Sequence, residues 1–391
     1  MSRILRRPVE ALIESLSKAG AVTLLIIIIL FAVIYLRYGV TQIYAILIEI
    51  AIALIVTLSL NLETGVTGIS QFGRVICVIA GAYMVGGICG RIVALILGVP
   101  SGPEYADFML NYRLVTEINE VLSRNPALSI GVFLMYLILA AAFGAFLGWL
   151  TSRPAIRLRG PFLGISLLAF GDALMYIGTN WWPLVGGTQA IHIPDPFRFL
   201  EDLRFNVLTI ISIAIALLIL ILLELLDKSP LGRTFRAVRD SVVTADVYGK
   251  DWVKVRTISL MMGGAIAAIG GAIYVIYTGT CSAFAFTRLT WTFWPWAYMM
   301  LGGSGSHVGM LFGVILWLQI RTFILVERHA LAGIVPFDPI WLEYVIGGAM
   351  LMVIPIIRPY GLVPERAKPI LPYKRLREIR EAVKRRVGGD G

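Results

Sequence analysis

The sequence predicts an all-α polytopic membrane protein of about 10 transmembrane helices, and three observations predict it. Of its 391 residues, 58% are hydrophobic and 15% charged, against about half and about a quarter in a soluble domain. The apolar residues fall in runs of roughly 20, the length that spans a hydrocarbon layer of about 30 Å. Lysine and arginine collect in alternate segments between those runs, as they do on the cytoplasmic side of membrane proteins. This composition excludes a soluble enzyme, a disordered chain and a nucleic-acid-binding domain, even though 34 basic residues against 24 acidic ones leave a net charge of +10.

Residues 1–20 carry Arg3, Arg6, Arg7 and Lys18, with Ile4, Val9, Leu12, Ile13 and Leu16 on one helical face. They read as a cytoplasmic amphipathic segment lying on the membrane. The apolar run 21–36 is followed by no small-residue cleavage pattern and reads as an uncleaved first span. Further spans are predicted at 39–60, 75–98, 127–151, 161–178, 206–225, 257–279, 289–303, 307–325 and 340–357, giving a transmembrane domain over 21–357 and a basic cytoplasmic tail over 358–391. The run at 289–303 is short for a crossing, and 61–74 is rich in glycine. Both are expected to be broken or re-entrant, which is tolerated at membrane depth only inside protein or beside a water-filled cavity. With the N-terminus inside, the inner segments hold 25 Lys and Arg and the outer segments seven, while Arg91 and Arg321 fall within spans. A multi-pass protein of the cell (inner) membrane with both termini cytoplasmic follows.

Cys77, Cys89 and Cys281 suggest neither a disulfide framework nor a metal site, and the three histidines are far apart and unaccompanied. No metal ligands or bound cofactor are expected. The longest inner loops run to about 30 residues and no GxxxxGK[ST] motif is present, so energy must come from an ion gradient or a separate protein.

Four segments carry the functional argument. In "NLETGVTGISQFGRVICVIAGAY", Asn61, Gly65, Gly68, Ser70 and Gly73 precede an apolar helix; close glycines let helices break or pack tightly. In "LRGPFLGISLLAFGDALMYIGTNWWPLVGGTQAI", Asp172 lies mid-span, where an ionisable residue lines a pathway or pins a helix pair. Trp181 and Trp182 mark an interfacial belt, and Thr188 and Gln189 follow. The inner loop 228–256 has helical periodicity from Phe235 to Val247, closed by Gly249. Arg236, Arg239, Asp240 and Asp246 are expected to be exposed there, with Phe235, Val238, Val242 and Val243 free to dock in a groove of another protein. In "WPWAYMMLGGSGSHVGMLFG" the glycines lack the lysine and preceding strand of a phosphate loop and read as a tight inner hairpin. The triplet Ala82, Tyr83, Met84 recurs as Ala297, Tyr298, Met299 in an oppositely directed run, a pattern that suits an inverted repeat.

In this order the segments resemble the LivM-like permeases, membrane subunits of ABC importers for branched-chain amino acids, with urea and short-amide permeases as relatives. The likeness runs from about Leu60 to Leu362 and is carried by "LRGPFLGISLLAFGDAL", "LVGGTQAI", "LGRTFRAVRDSVVTADVYG", "LGGSGSHVG" and "RPYGLVP". Departures from the family pattern are Arg74 for its usual His, Asp172 for Glu, and Thr244-Ala245-Asp246 for Ala-Ala-Glu. The resemblance implies a non-catalytic subunit forming half of a translocation path with a second homologous permease. It further implies two cytoplasmic ATP-binding subunits that use the ATP, and an extracellular substrate-binding protein. Asn61, Ser70, Asp172, Thr188 and Gln189 would border the pathway. Arg236, Arg239, Asp240, Val242, Val243, Thr244, Ala245 and Gly249 would form the ATPase-coupling loop, with Val242, Val243 and Ala245 filling the ATPase groove. The alternatives are a urea or short-amide permease of the same family, or an ion-coupled secondary transporter using Asp172 and Glu49 as a relay.

Overall fold

Among the described residues, the ten predicted runs resolve into eight helices long and apolar enough to cross a membrane and two shorter pieces. The computed structural model describes residues 18–158, 160–333 and 336–365. Most of the amphipathic segment at 1–20, Arg159, and the tail beyond Glu365 lie outside the described residues. Helix α1 (Lys18–Leu60) bends at Gly39, which takes a φ of +76°. Before the bend it offers only the short apolar stretch Ile27–Arg37, and after it the span Gln42–Val66. The second short piece lies at 289–303, where a widened turn, Leu289–Phe293, leads into a nine-residue helix, Trp294–Gly302. At about 1.5 Å per residue that helix is too short to cross the hydrocarbon layer. The glycine-rich segment is broken as well, since α1 runs into the π-turn Asn61–Val66 and the chain stays non-helical until Arg74.

Apart from those starting at Arg74 and Arg204, the other long helices begin where the sequence supplies a cap or a proline. Helix α2 (Arg74–Ile96) is followed by α3 (Phe108–Arg124), a non-spanning helix whose Asp107 carboxylate accepts the N–H groups of Met109 and Leu110. Proline at the first position opens α4 (Pro126–Arg157) and α5 (Pro161–Asn180). Then come α6 (Arg204–Lys228), the loop helices α7 (Pro230–Asp240) and α8 (Val242–Val247), and α9 (Trp252–Thr278). Trp294–Gly302 is α10, followed by α11 (His307–Val326) and α12 (Ile340–Ile357).

Helix α9 sits at the centre because its small residues let two neighbours reach its backbone. A Cβ on Gly81 of α2 would lie 1.9 Å from the Ala268 carbonyl oxygen, and one on Gly148 of α4 would lie 2.2 Å from that of Leu260. A Gly81→Val variant is therefore expected to separate α2 from α9, with most of the monodisperse protein lost in size-exclusion chromatography; a normal yield would contradict this packing.

The connecting segments meet in two separate groups. On one face, the Gly305 N–H donates to Asn61 Oδ1 (2.9 Å) and the Leu362 N–H to the Leu301 carbonyl (2.9 Å). On the other, Ile191–His192 pairs antiparallel with Thr280–Cys281, Asn111 bonds His192, and Arg204 pairs with Asp195. The triplets at Ala82 and Ala297 lie in helices of opposite direction and unequal length, α2 and α10.

Candidate coupling surface and translocation elements

The loop 228–256 is two helices, not the single helix expected over Phe235–Val247. Ser241 has an extended backbone (φ −160°, ψ 111°), and its hydroxyl caps the second helix by accepting the Thr244 N–H. The break changes which side chains are free. Phe235 and Val238 are fully buried in the chain's own core, and Ala245 is 4% exposed, so none of the three is available to a partner's groove. Val242 is half-buried, while Thr244, Asp240 and Gly249 are exposed. Free apolar surface comes instead from Val243, Val247 and Tyr248, which are 76%, 81% and 78% exposed. Asp251 then caps α9 by accepting the Lys254 N–H; that bond, with the Lys254 side chain, holds its carboxyl below the ordinary aspartate value. The cap's contribution is therefore present at neutral pH and lost only as acid titrates the group through its lowered value.

Two of the loop's arginines, Arg236 and Arg239, face inward. Arg236 donates to the Asp227 carbonyl (2.5 Å) and pairs with the Asp227 carboxylate (3.3 Å). Arg239 reaches across to the broken end of α1, donating to the Gly65 carbonyl (2.6 Å) and to Glu365 Oε2 (2.9 Å). Burial pulls the Arg239 guanidinium down, but hydrogen bonds and charge from Glu365 and Asp240 outweigh it and leave it above its ordinary value. Gly68, at φ +78°, gives it room: a Cβ there would lie 2.8 Å from Arg239 Cγ. Asn61 then ties the same turn to the hairpin after α10, accepting the Gly305 N–H and bonding His307 Nδ1 at 3.0 Å. The closing "RPYGLVP" segment straps this hairpin, with Val363 N–H donating to the Gly302 carbonyl (3.0 Å). One chain of contacts thus runs from the loop helices to both helix breaks.

The two breaks also lie against each other. Phe72 stacks on Trp296 at 4.7 Å, the Trp296 indole donates to the Gln71 carbonyl (3.0 Å), and the Val75 N–H donates to Thr292 Oγ1 (3.2 Å). Beneath them sits a fully buried ion pair, Arg74 NH1 to Glu63 Oε1 at 2.8 Å. Gly263 makes space for it, since a Cβ there would lie 2.1 Å from that carboxylate oxygen.

The five expected pathway residues do not converge. Asn61 is buried within the turn Asn61–Val66 and Ser70 is half-buried in the non-helical segment that follows. Thr188 and Gln189 are exposed on the turn after α5, on the opposite face. Asp172 is not solitary: Arg288, counted as an outer-loop residue, reaches it at 3.1 Å and pins α5 to the start of the short broken segment Leu289–Gly302. A further ion-pair cluster joins three apolar helices: Arg321 NH1 lies 3.4 Å from Glu49 Oε2, and Arg321 Nε 2.9 Å from Glu343 Oε1. Its sequence signal was the presence of ionisable residues inside apolar runs.

The family model for the branched-chain amino acid transport system permease component matches residues 42–355. The chain belongs to this family. Branched-chain permeases similar to it include a probable branched-chain amino acid transport permease protein LivM of Methanocaldococcus jannaschii, 35% identical over 84% of this chain and 94% of that one. The LivM protein of Salmonella typhimurium is 26% identical over 58% of this chain and 56% of that one. A guanosine ABC transporter permease protein of Bacillus subtilis, NupQ, is 28% identical over 35% of this chain and 47% of that one. No solved structure matches. The matched span of the family model takes in both helix breaks and the whole α7–α8 loop, and ends two residues before the close of α12.

Proposed function

We propose that this chain is the membrane-spanning permease subunit of an ATP-driven ABC importer for branched-chain or related amino acids. It forms half of the translocation path with a second homologous permease and binds no cofactor itself. Two ATP-binding subunits engage the α7–α8 loop on the cytoplasmic side, where both termini lie, and an extracellular binding protein delivers substrate to the opposite face. The observation that carries this reading is the exposed apolar tip Val243, Val247 and Tyr248 on a loop whose Arg239 grips the broken end of α1. A partner that moves this tip moves the helix breaks with it, which is how hydrolysis outside the membrane would switch access within it. Amino acids are favoured as cargo by the long match to the M. jannaschii relative. An ion-coupled relay through Asp172 and Glu49 has less support, because each carboxylate is already engaged by an arginine.

Replacing both Val243 and Tyr248 by aspartate is expected to abolish co-purification of the ATPase subunits and to reduce uptake to background. The same chain with Thr116→Ala on the opposite face should behave as wild type. Undiminished uptake by the double variant would contradict the docking role.

A further inference from the structure

We propose that the outward side of α5, with the Asp172–Arg288 pair at its edge, is the surface on which this chain packs against the second permease. This rests on the two-permease reading above and gives that partner its place. Helix α5 turns one side to the chain's own core: a Cβ on Gly164 would lie 2.8 Å from Phe72, one on Gly171 2.5 Å from Val75, and one on Gly178 2.0 Å from the Tyr83 hydroxyl. The opposite side, at Phe162, Ser166, Ala169, Ala173 and Tyr176, is exposed. These positions recur every three or four residues and so form one stripe along the span.

The content of that stripe separates it from a lipid-facing one. The exposed side of α6 presents Leu218, Ile221, Leu222 and Leu225, and that of α4 presents Ile130, Leu134 and Ile138, bulky aliphatic side chains that suit acyl chains. Between the aromatic rings at its two ends, the stripe of α5 offers Ser166, Ala169 and Ala173 instead, small residues that let a second helix approach closely. Asp172 stands near the middle of the Pro161–Asn180 span. Its side chain is 27% exposed and that of Arg288 55% exposed, and the neighbouring Thr287 and Thr290 hydroxyls, 3.0 Å apart, are exposed as well. Charged groups open to the outside at this depth are costly against lipid and belong against protein or a water-filled space.

The occupant is identified by elimination and by charge. The ATP-binding subunits and the binding protein of the proposed assembly lie outside the membrane. Residues 1–17 and 366–391 of this chain carry charged residues at short intervals, which does not suit a mid-span surface. The second permease is the remaining chain of that assembly able to reach it. The Asp172–Arg288 pair uses one guanidinium nitrogen and one carboxylate oxygen, so donors and an acceptor stay open together. A homologous chain presenting a similar pair can then answer charge with charge across a two-fold interface.

The test uses the assembled transporter with p-benzoylphenylalanine in place of Phe162 or of Tyr176, exposed aromatic positions that accommodate the probe, and in place of Phe146 on the outward side of α4 as the control. Irradiation should join the second permease to the chain from Phe162 or Tyr176 and give no protein adduct from Phe146. As a separate readout, Ala173→Trp should cut the amount of second permease that co-purifies with the tagged, monodisperse chain about tenfold, the effect of overpacking a close contact. Ile221→Trp on α6 should leave that amount at the wild-type level. Protein adducts from Phe146 alone, adducts only to lipid or to another copy of this chain at both α5 positions, or undiminished co-purification with Ala173→Trp would each overturn the surface. A wild-type chain that brings down no second permease overturns the two-permease reading with it; a second permease that co-purifies but is never joined from α5 overturns the surface alone.

Discussion

An Arg74→Met variant that retains Glu63 is expected to lose about 3–5 kcal/mol of stability, the cost of breaking a buried ion pair from one side. Both side chains are fully buried and 2.8 Å apart, so the orphaned carboxylate has no route to water without unpacking the turn at Asn61–Val66. In a thermal unfolding series in detergent this should appear as a fall of about 5 °C in apparent Tm. Replacing both residues by methionine removes the two charges together, and such exchanges are often neutral or stabilising; the double variant should recover most or all of the loss. A single variant as stable as wild type would show that Glu63 finds another partner. Arg74 is also where the chain departs from its family's usual histidine. The departure is answered eleven residues upstream by Glu63, and it concerns the joint between two spans more directly than the cargo.

Arg239→Ala should leave ATP hydrolysis running while uptake falls about tenfold or more, because a charged hydrogen bond at a moving joint is lost on both of its sides. The guanidinium bonds the Gly65 carbonyl and Glu365 through one nitrogen and Asp240 through another. Without it, a movement of α7 has no polar grip on the broken end of α1. Lysine carries the charge but not the planar fork, so Arg239→Lys should lie between alanine and wild type. Uptake and hydrolysis falling together in the alanine variant would point to failed assembly instead; uptake unchanged would remove Arg239 from the transmission path.

Hydropathy and charge made the long crossings legible, because a single helix must bury its length in lipid whatever its neighbours do. The glycines at 65, 68 and 73 and the shortness of 289–303 likewise announced the two breaks. Helical periodicity at Phe235 and Val238 marks an apolar face but not its direction: an amphipathic face does not say whether its own protein or a partner covers it. Ala245 failed for the same reason, and a bulky charge placed there would lift α8 from its own chain before any partner met it. The ion pairs were the least visible. Glu49 and Arg321 are 272 residues apart, and only the fold makes them neighbours. The role of "RPYGLVP" became plain in the same way, once Leu362 and Val363 were seen to bond the end of α10.

The most direct measurement is to purify the tagged full-length chain in mild detergent from the cells that produce it, identify the co-purifying proteins by mass spectrometry and assay ATP hydrolysis. A complex containing ATP-binding subunits and a second permease, with hydrolysis raised by a binding protein loaded with a branched-chain amino acid, is the predicted result. A chain that purifies alone, shows no associated hydrolysis and still moves substrate down an ion gradient in proteoliposomes would contradict it.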